Sequence, residues 1–316
     1  MAATMVPADD LLVDPAPGSR ITAAGRPTPE WREELRRVPS LRNAWSVAFV
    51  YVQIALVLGL AAYLDHPVAW VLAFLLMGRT FALLSILAHE AAHRMLFSNR
   101  RLNDGVGRWL LAYPAFTPLD LYRRGHMGHH REEFGPNEPD IPLYRGYPIA
   151  RDSLRRKLTR DALGITGFKL LRGLARGLRT ENRDVRRQAW GIVVAQIVIA
   201  AAFVAAGHPW LYPLLWFLPY LTVWRVLNRL RAIAEHGGMA RSPDRRRTTH
   251  TVRQSPLARF VFVPYNTGWH LAHHVDPGIP WRKLPELHAE LVTSGYVQPG
   301  LEYRSYPALW RALAAG

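Results

Sequence analysis

The sequence predicts an all-α integral membrane protein with four transmembrane helices arranged as two hairpins and a helical cap on the cytoplasmic side. Three observations predict it. Four apolar stretches of about the ~20 residues needed to cross ~30 Å of hydrocarbon occupy 45–64, 68–88, 189–206 and 210–227. Only Asp65, His66 and Pro67 separate the first pair, and Gly207, His208 and Pro209 the second, so each pair must run antiparallel. Arginine is dense in the loop from Arg94 to Gln188 and after Leu227 but absent from the short turns, which by the positive-inside rule puts both termini and the long loop in the cytoplasm.

Bulk composition hides this pattern. A mean hydropathy of -0.05 averages a strongly apolar portion with a strongly basic one. A net charge of +16 is also a nucleic-acid signature, but no nucleic-acid-binding motif accompanies it, and basic residues flanking apolar spans meet anionic lipid head groups. The absence of cysteine excludes disulfides, thiolate metal sites and cysteine nucleophiles.

Along the chain, residues 1–30, rich in Pro, Ala and Asp with no charged-then-apolar leader pattern, read as a mobile N-terminal tail. The membrane domain is expected over 31–292, opening with a short surface helix from Trp31 to Arg42. Within the long loop, Leu102 to Leu121 is too broken by polar residues to span and is expected in the interface. Leu154 to Leu178 fits one interfacial helix with Leu154, Leu158, Ile165, Phe168, Leu171, Leu174 and Leu178 set among Arg and Lys, or a solvated basic helix packed on protein. Pro285 to Val292 reads as a further helix, and 293–316 as a largely irregular C-terminal tail.

Histidine is distributed far from evenly. Of 13 histidines, His89 and His93 form HEAAH, His126, His129 and His130 form HMGHH, and His270, His273 and His274 form HLAHH, with His236 in AIAEHGG as a ninth candidate. Residues three or four apart share one helix face, so each cluster can aim its imidazoles at one point. Imidazole suits iron, copper, nickel and zinc. Eight or nine convergent donors exceed one ion, so a histidine-rich di-metal site is implied. A rise of 1.5 Å per residue from Asp65 places Arg79 at roughly 21 Å and His89 at roughly 36 Å, just past the hydrocarbon; from His208 it places Arg225 at roughly 25 Å and His236 at roughly 42 Å. All nine candidates thus fall on one side of the membrane. Arg79 reads as structural, and His66, His208, His250 and His288 as ordinary structural histidines.

Each piece also has a narrower reading. HEAAH alone matches the zinc-hydrolase signature with Glu90 as general base, which leaves six clustered histidines without a purpose. Built on His89, Glu90 and His93, an intramembrane zinc protease would need an Asp from a later span, and the third and fourth spans hold none. Glu90 with His93 is one Glu-x-x-His pair, where a soluble di-iron carboxylate bundle needs two.

At these residues the chain resembles the integral-membrane fatty acid desaturase and hydroxylase superfamily, whose members carry three histidine boxes of the forms H-x(3-4)-H, H-x(2-3)-H-H and H/Q-x(2-3)-H-H. NDGVGRWLLAYP, RGHMGHH, RAIAEHGG and HLAHHVDPGIPW followed by LPELH are similar to it as well. The resemblance implies that His89, His93, His126, His129, His130, His270, His273 and His274 ligate two non-haem iron ions, with His236 as the extra ligand, and that the di-iron centre itself is catalytic. It implies O2 as co-substrate, a lipid or acyl-chain substrate, and desaturation of a fatty acyl chain, or hydroxylation or ketolation of a fatty chain, sterol or carotenoid. Without a fused haem motif, electrons come from a separate donor such as ferredoxin or a cytochrome. Glu90, Asp140, Glu235 and Asp276 are the expected acceptors for imidazole N–H groups. Asp276 stands where many acyl desaturases carry an aromatic residue.

Overall fold

A computed structural model describes residues 4–316. The chain is mostly helical, and the one sheet among the described residues is a two-residue parallel pairing of β1 (Thr251–Val252) with β2 (Glu302–Tyr303). It divides into two compact units: an apolar one, Pro39–Arg123 with Arg156–Asn228, and a histidine-bearing one made of the described residues up to Val38, Arg124–Arg155 and Arg229–Gly316.

Chain order begins with α1 (Pro29–Leu35), α2 (Ser40–Leu64) and α3 (Pro67–Ala92). The expected surface helix from Trp31 to Arg42 is shorter, ending at Leu35, and while Glu30, Glu33 and Glu34 are exposed its other face is packed. Pro39 disfavours helix at the residue before it, and Trp31 and Leu35 are buried. In the apolar unit α2 and α3 form the first hairpin. Asp65 turns it in the left-handed region at φ 40°, and Pro67 opens α3 where a missing N–H costs nothing. Arg79, expected as structural, donates to Gln53 Oε1 at 3.1 Å across the pair. Trp45, Phe49, Leu56, Leu60 and Tyr63 of α2 are exposed, a surface suited to hydrocarbon rather than water.

α3 ends at the first histidine box because the chain must reverse there. Arg94 takes φ 60°, and Asn43 and Asn103 saturate the turn: Asn43 Nδ2 donates to Leu96 O at 2.9 Å, while Asn103 accepts from Leu96 N–H at 3.1 Å and donates to Ala91 O at 2.9 Å. α4 (Arg100–Val106) then runs into a π-helical turn, Gly107–Ala112, leaving Trp109 and Leu110 exposed.

Next come α5 (Leu119–Arg131), α6 (Ile141–Tyr144), α7 (Arg151–Ala162) and α8 (Ile165–Gly177). The single helix expected from Leu154 to Leu178 is therefore two. Gly164, at φ 75°, adopts a left-handed conformation that a glycine tolerates without a Cβ penalty, and the helix breaks on it. α8 keeps the expected amphipathic character, with Ile165, Phe168 and Leu170 exposed.

α9 (Arg183–Ala205) is the third helix long and apolar enough to cross a membrane, after α2 and α3. The stretch expected as a fourth span is not one continuous helix. It comprises a π-helical segment Tyr212–Phe217, α10 (Leu218–Leu221), a break at Thr222 and the start of α11 (Val223–His236). Pro213 and Pro219 explain the interruption, since neither supplies the N–H a regular helix uses. Gln196 of α9 is fitted to it: its amide donates to Tyr113 O (2.9 Å) and Pro114 O (3.2 Å) and accepts from Tyr212 Oη (3.1 Å) and Trp216 Nε1 (3.2 Å).

The histidine-bearing unit is completed by α12 (Pro256–Val261), α13 (His270–Val275), α14 (Leu284–Thr293) and α15 (Tyr306–Leu313). Its core joins Trp31 and Leu35 of α1 to Leu271, Ala272 and Val275 of α13 and Leu284, Leu287 and Leu291 of α14. Residues 293–316, expected to be irregular, instead carry β2 and α15, whose Tyr306, Leu309 and Leu313 are buried at helical spacing. The segment expected as an N-terminal tail makes contacts too: Ile21 is buried in the core, and Met5 and Ala16 donate backbone N–H bonds to Gly238 and Ser294.

Candidate metal centre

Three stretches of the histidine-bearing unit deliver imidazoles to one place. α5 brings His126, His129 and His130 at i, i+3 and i+4, α11 ends on His236, and α13 brings His270, His273 and His274. On α13 the division of faces is sharp. Leu271, Ala272 and Val275 enter the core, which leaves the histidine face to oppose α5.

The Nε2 atoms pair closely: His126 with His130, His130 with His273, and His236 with His270, each at 3.0 Å. Two imidazole lone pairs at that separation repel unless a proton or a cation lies between them. A metal bound at ~2.1 Å by two nitrogens at right angles separates them by about 3.0 Å, against about 3.4 Å for a tetrahedral pair. The spacing therefore fits adjacent ligands of a five- or six-coordinate ion. His126, His130 and His273 form one compact donor group, and His129, His236 and His274 another; in each, the donor atoms lie within 4.8 Å of one another.

Tautomers follow from the far side of each ring. His236 Nδ1 lies 2.8 Å from Thr248 O, a carbonyl that can only accept, so the proton sits on Nδ1 and Nε2 keeps its lone pair. His274 Nδ1 lies 2.5 Å from Glu133 Oε1, and His129 Nδ1 contacts Glu138. His274 Nε2 is buried with no hydrogen-bond partner among the described residues, which a protein tolerates at a ligand position.

Electrostatics agree with neutral donors. Burial, then the neighbouring imidazoles, push His270 and His274 well below the ordinary histidine range, and burial with the charge of His129 does so for His236. His129 differs: burial lowers it, but the hydrogen bond and charge of Glu138 raise it further. Burial raises Glu133, partly offset by Arg245, whose Nη1 stands 2.6 Å away. Glu138 is lowered, because His129 and Tyr144 hydrogen bonds outweigh its burial.

The expected carboxylates are placed unevenly. Glu235 lies 3.6 Å from His270 Nδ1 and also pairs with Arg231 at 3.2 Å. Asp140 is raised by burial and feels the His129 charge, but it stands at the N-cap position of α6 without a side-chain capping bond and bonds no ring among the described residues. Asp276 does not serve a histidine: its carboxylate holds the Arg32 guanidinium from α1 and accepts the Gly278 N–H at 3.0 Å. The acids that do grip rings, Glu133 and Glu138, were missed, although they sit three and eight residues past the second box in HHREEFGPNEPD: Glu138 returns to His129 of that box, while Glu133 reaches His274 of the third. Glu133 with His130 and His274 also forms a compact donor group of its own.

In the apolar unit, His89 and His93 close α3, their rings 4.6 Å apart, and Glu90 is buried with Oε1 3.4 Å from His89 Nδ1. Three of the four remaining histidines make structural contacts. His66 caps α3, His250 Nε2 bonds Gly237 O at 2.7 Å, and His288 stacks on Trp269 at 4.1 Å.

A fatty acid desaturase family profile matches residues 65–307. The chain belongs to the fatty acid desaturase family. It is 30% identical over 226 residues to a dihydrorhizobitoxine desaturase of Bradyrhizobium elkanii, spanning 66% of this chain and 64% of that protein. It is 25% identical over 225 residues to a beta-carotene ketolase of Paracoccus sp. (strain N81106 / MBIC 01143), covering 70% of this chain and 79% of the ketolase. Over 116 residues, 34% of this chain and 26% of the relative, it is 32% identical to the chloroplastic sn-2 acyl-lipid omega-3 desaturase (ferredoxin) of Helianthus annuus. The chain thus joins family membership to a histidine cluster that could hold metal and to three helices long and apolar enough to cross a membrane, while spanning less than two thirds of the length of the first two curated desaturases it matches.

Proposed function

We propose that the chain is a membrane-bound di-iron desaturase that introduces a C=C bond into a fatty acyl chain. The observation that carries the proposal is the gathering of six histidines into two donor groups, His126, His130 and His273 in one and His129, His236 and His274 in the other, with His270 beside His236 and Nε2 atoms 3.0 Å apart in the pairs His126–His130, His130–His273 and His236–His270. His89 and His93 of the first box complete the ligand set in this reading. Iron bound there would supply the oxidation: one CH2–CH2 pair, O2, two electrons and two protons give one C=C and two waters.

The chain's own residues do the rest. Glu133, Glu138 and Thr248 O hold the Nδ1 protons of His274, His129 and His236, fixing ring orientation and raising ligand basicity. Orienting the donors in advance removes reorganisation from the reaction itself. Arg245 donates to His130 O at 2.8 Å as well as to Glu133, tying the second box to the acid that serves the third.

Topology in this reading has four spans, with residues 210–227 supplying an interrupted fourth, and places both termini and the histidine boxes on the cytoplasmic side, as the arginine distribution requires. Electrons come from a separate ferredoxin or cytochrome, steered to a chain of net charge +16. Reduction rates should fall as salt is raised. Equal rates at low and high ionic strength exclude steering.

A second reading, ketolation or hydroxylation of a carotenoid or fatty chain, is favoured by the 79% of the Paracoccus ketolase that the alignment covers. Lipid and carotenoid profiling by mass spectrometry of cells expressing the chain, against a His129→Ala control, separates the two: new unsaturated acyl chains support the desaturase, new oxygenated products the alternative. Two irons per purified chain are expected, and a single zinc overturns both readings.

A further inference from the structure

We propose that the apolar unit carries a binding site for the carboxylate end of a single-chain fatty acid, separate from the histidine cluster. The site is a cavity of about 340 Å³ under α8, within the ~300–1,000 Å³ range of small-molecule pockets. Leu170, Leu171 and Leu174 of α8, Val185 and Ala189 of α9, and Leu121 make its apolar wall. Gly173 and Gly177 line α8 where side chains would otherwise occupy the space, and a Cβ at Gly173 would meet nothing within 4 Å.

The cavity has one cation, Arg225. Its Nε donates to Tyr220 O at 3.2 Å, and its guanidinium lies over the Tyr220 ring at 4.5 Å and the Trp224 ring at 5.5 Å. Phe116 stacks on the other aromatic partner, Tyr220, at 4.3 Å and fixes that wall. The backbone and aromatic contacts orient the guanidinium, and no hydrogen bond from its terminal nitrogens to a described residue competes for them. The buried Asp161 acts on Arg225 electrostatically but makes no hydrogen bond to it among the described residues. A planar fork of two N–H donors matches a carboxylate in a bidentate pair.

The occupant follows from charge and volume. One guanidinium, with no lysine or second arginine lining the cavity, complements one negative charge, and a diacyl phospholipid would bring a second chain that a space of this size does not hold. α8 is amphipathic, with Ile165, Phe168 and Leu170 exposed and Lys169, Arg172 and Arg176 among them, a character suited to the membrane interface from which a single-chain lipid would enter. The inference rests on this cavity alone, independent of the oxidation reading.

The test is equilibrium binding of radiolabelled palmitate to the full-length, detergent-purified protein, with hexadecanol and dipalmitoylphosphatidylglycerol as competitors. Saturable binding of one palmitate is expected, with hexadecanol and phosphatidylglycerol each at least tenfold weaker. Arg225→Gln should weaken palmitate at least tenfold and leave hexadecanol unchanged. Gly173→Leu, which fills open space and favours helix, should abolish binding of both while unfolding temperature and metal content stay at wild-type values. Palmitate binding untouched by Gly173→Leu, hexadecanol binding equal to palmitate, or phosphatidylglycerol displacing palmitate at equal concentration each overturns the proposal. Loss of fatty-acid binding with normal metal content leaves the desaturase reading standing, and the converse result leaves the cavity standing.

Discussion

Glu133 Oε1 lies 2.5 Å from His274 Nδ1 and 2.6 Å from Arg245 Nη1, so one buried carboxylate is shared between an imidazole of the third histidine box and a guanidinium. Arg245 offsets the cost of burying the acid, and the acid in turn keeps the His274 proton on Nδ1. The carboxylate thereby transmits a positional constraint from residue 245 to a candidate metal ligand.

Replacing Glu133 by Ala should therefore lower metal affinity about 10- to 100-fold, the usual effect of removing an imidazole's outer partner. Arg245 would also be left beside a cavity without its acid. Metal content after dialysis against graded chelator measures the loss. Unchanged retention would show that Glu133 only supports packing.

Gln196 yields a second prediction. Its amide satisfies two carbonyls and accepts from a phenol and an indole, joining α9 to the turn after Gly107–Ala112 and to the interrupted segment Tyr212–Phe217. Gln196→Leu keeps the volume but strands those groups in an apolar setting, at ~1–3 kcal/mol for a lost buried partner. Detergent-resistant folding at elevated temperature should drop, with metal content per folded chain unchanged. A variant as stable as the wild type would mean that water supplies the missing bonds.

Legibility in the sequence followed physical range. Apolar length and three-residue turns are local, so α2, α3 and α9 were plain, and the box histidines were plain because i, i+3, i+4 spacing is a property of one helix. The interruption after Tyr212 was legible only as Pro213 and Pro219 within an apolar run, a signal that hydropathy averages away. Gly164 split the basic helix for the same reason: one backbone conformation outweighs a dozen amphipathic residues. Asp276 was misread because its partner, Arg32, lies 244 positions away, and no local pattern encodes such a pairing. α15 was missed since Tyr306, Leu309 and Leu313 make a short apolar stripe that only its burial makes significant.

Acid should destabilise the protein partly through His250, which is not a box residue. Burial depresses it from 6.5 to about 4, against the raising effect of its bond to Gly237 O. Between those values the unfolded chain holds a proton that the folded chain lacks, so stability is full above pH 6.5 and falls as pH drops toward 4. A shift of this size corresponds to ~3 kcal/mol by linkage. Thermal unfolding of wild type and His250→Asn from pH 7 to pH 4.5 checks it: the variant, which keeps an N–H donor but does not titrate, should show the shallower decline. Parallel profiles would assign the acid sensitivity to the remaining histidines.

Asp276 and Arg32 separate a stabilising role from a ligand-supporting one. Asp276 is 4% exposed and Arg32 37%, so the pair is half in solvent and weaker than a fully buried one, yet removing the arginine's partner leaves a hole at the junction of α1 with the turn after α13. Asp276→Ala should cost ~2 kcal/mol, below the ~3–5 kcal/mol of a fully buried pair. Arg32→Met should cost at least as much, since it leaves the buried Asp276 carboxylate without its cation whereas Asp276→Ala leaves a guanidinium that water reaches, and the double variant should fall short of the sum by about 1 kcal/mol because the two residues share one interaction. Metal per folded chain should stay at the wild-type value in all three, whereas Glu133→Ala loses metal. Metal loss in Asp276→Ala at a temperature where the chain remains folded would return this carboxylate to the role that its place beside the third box suggested.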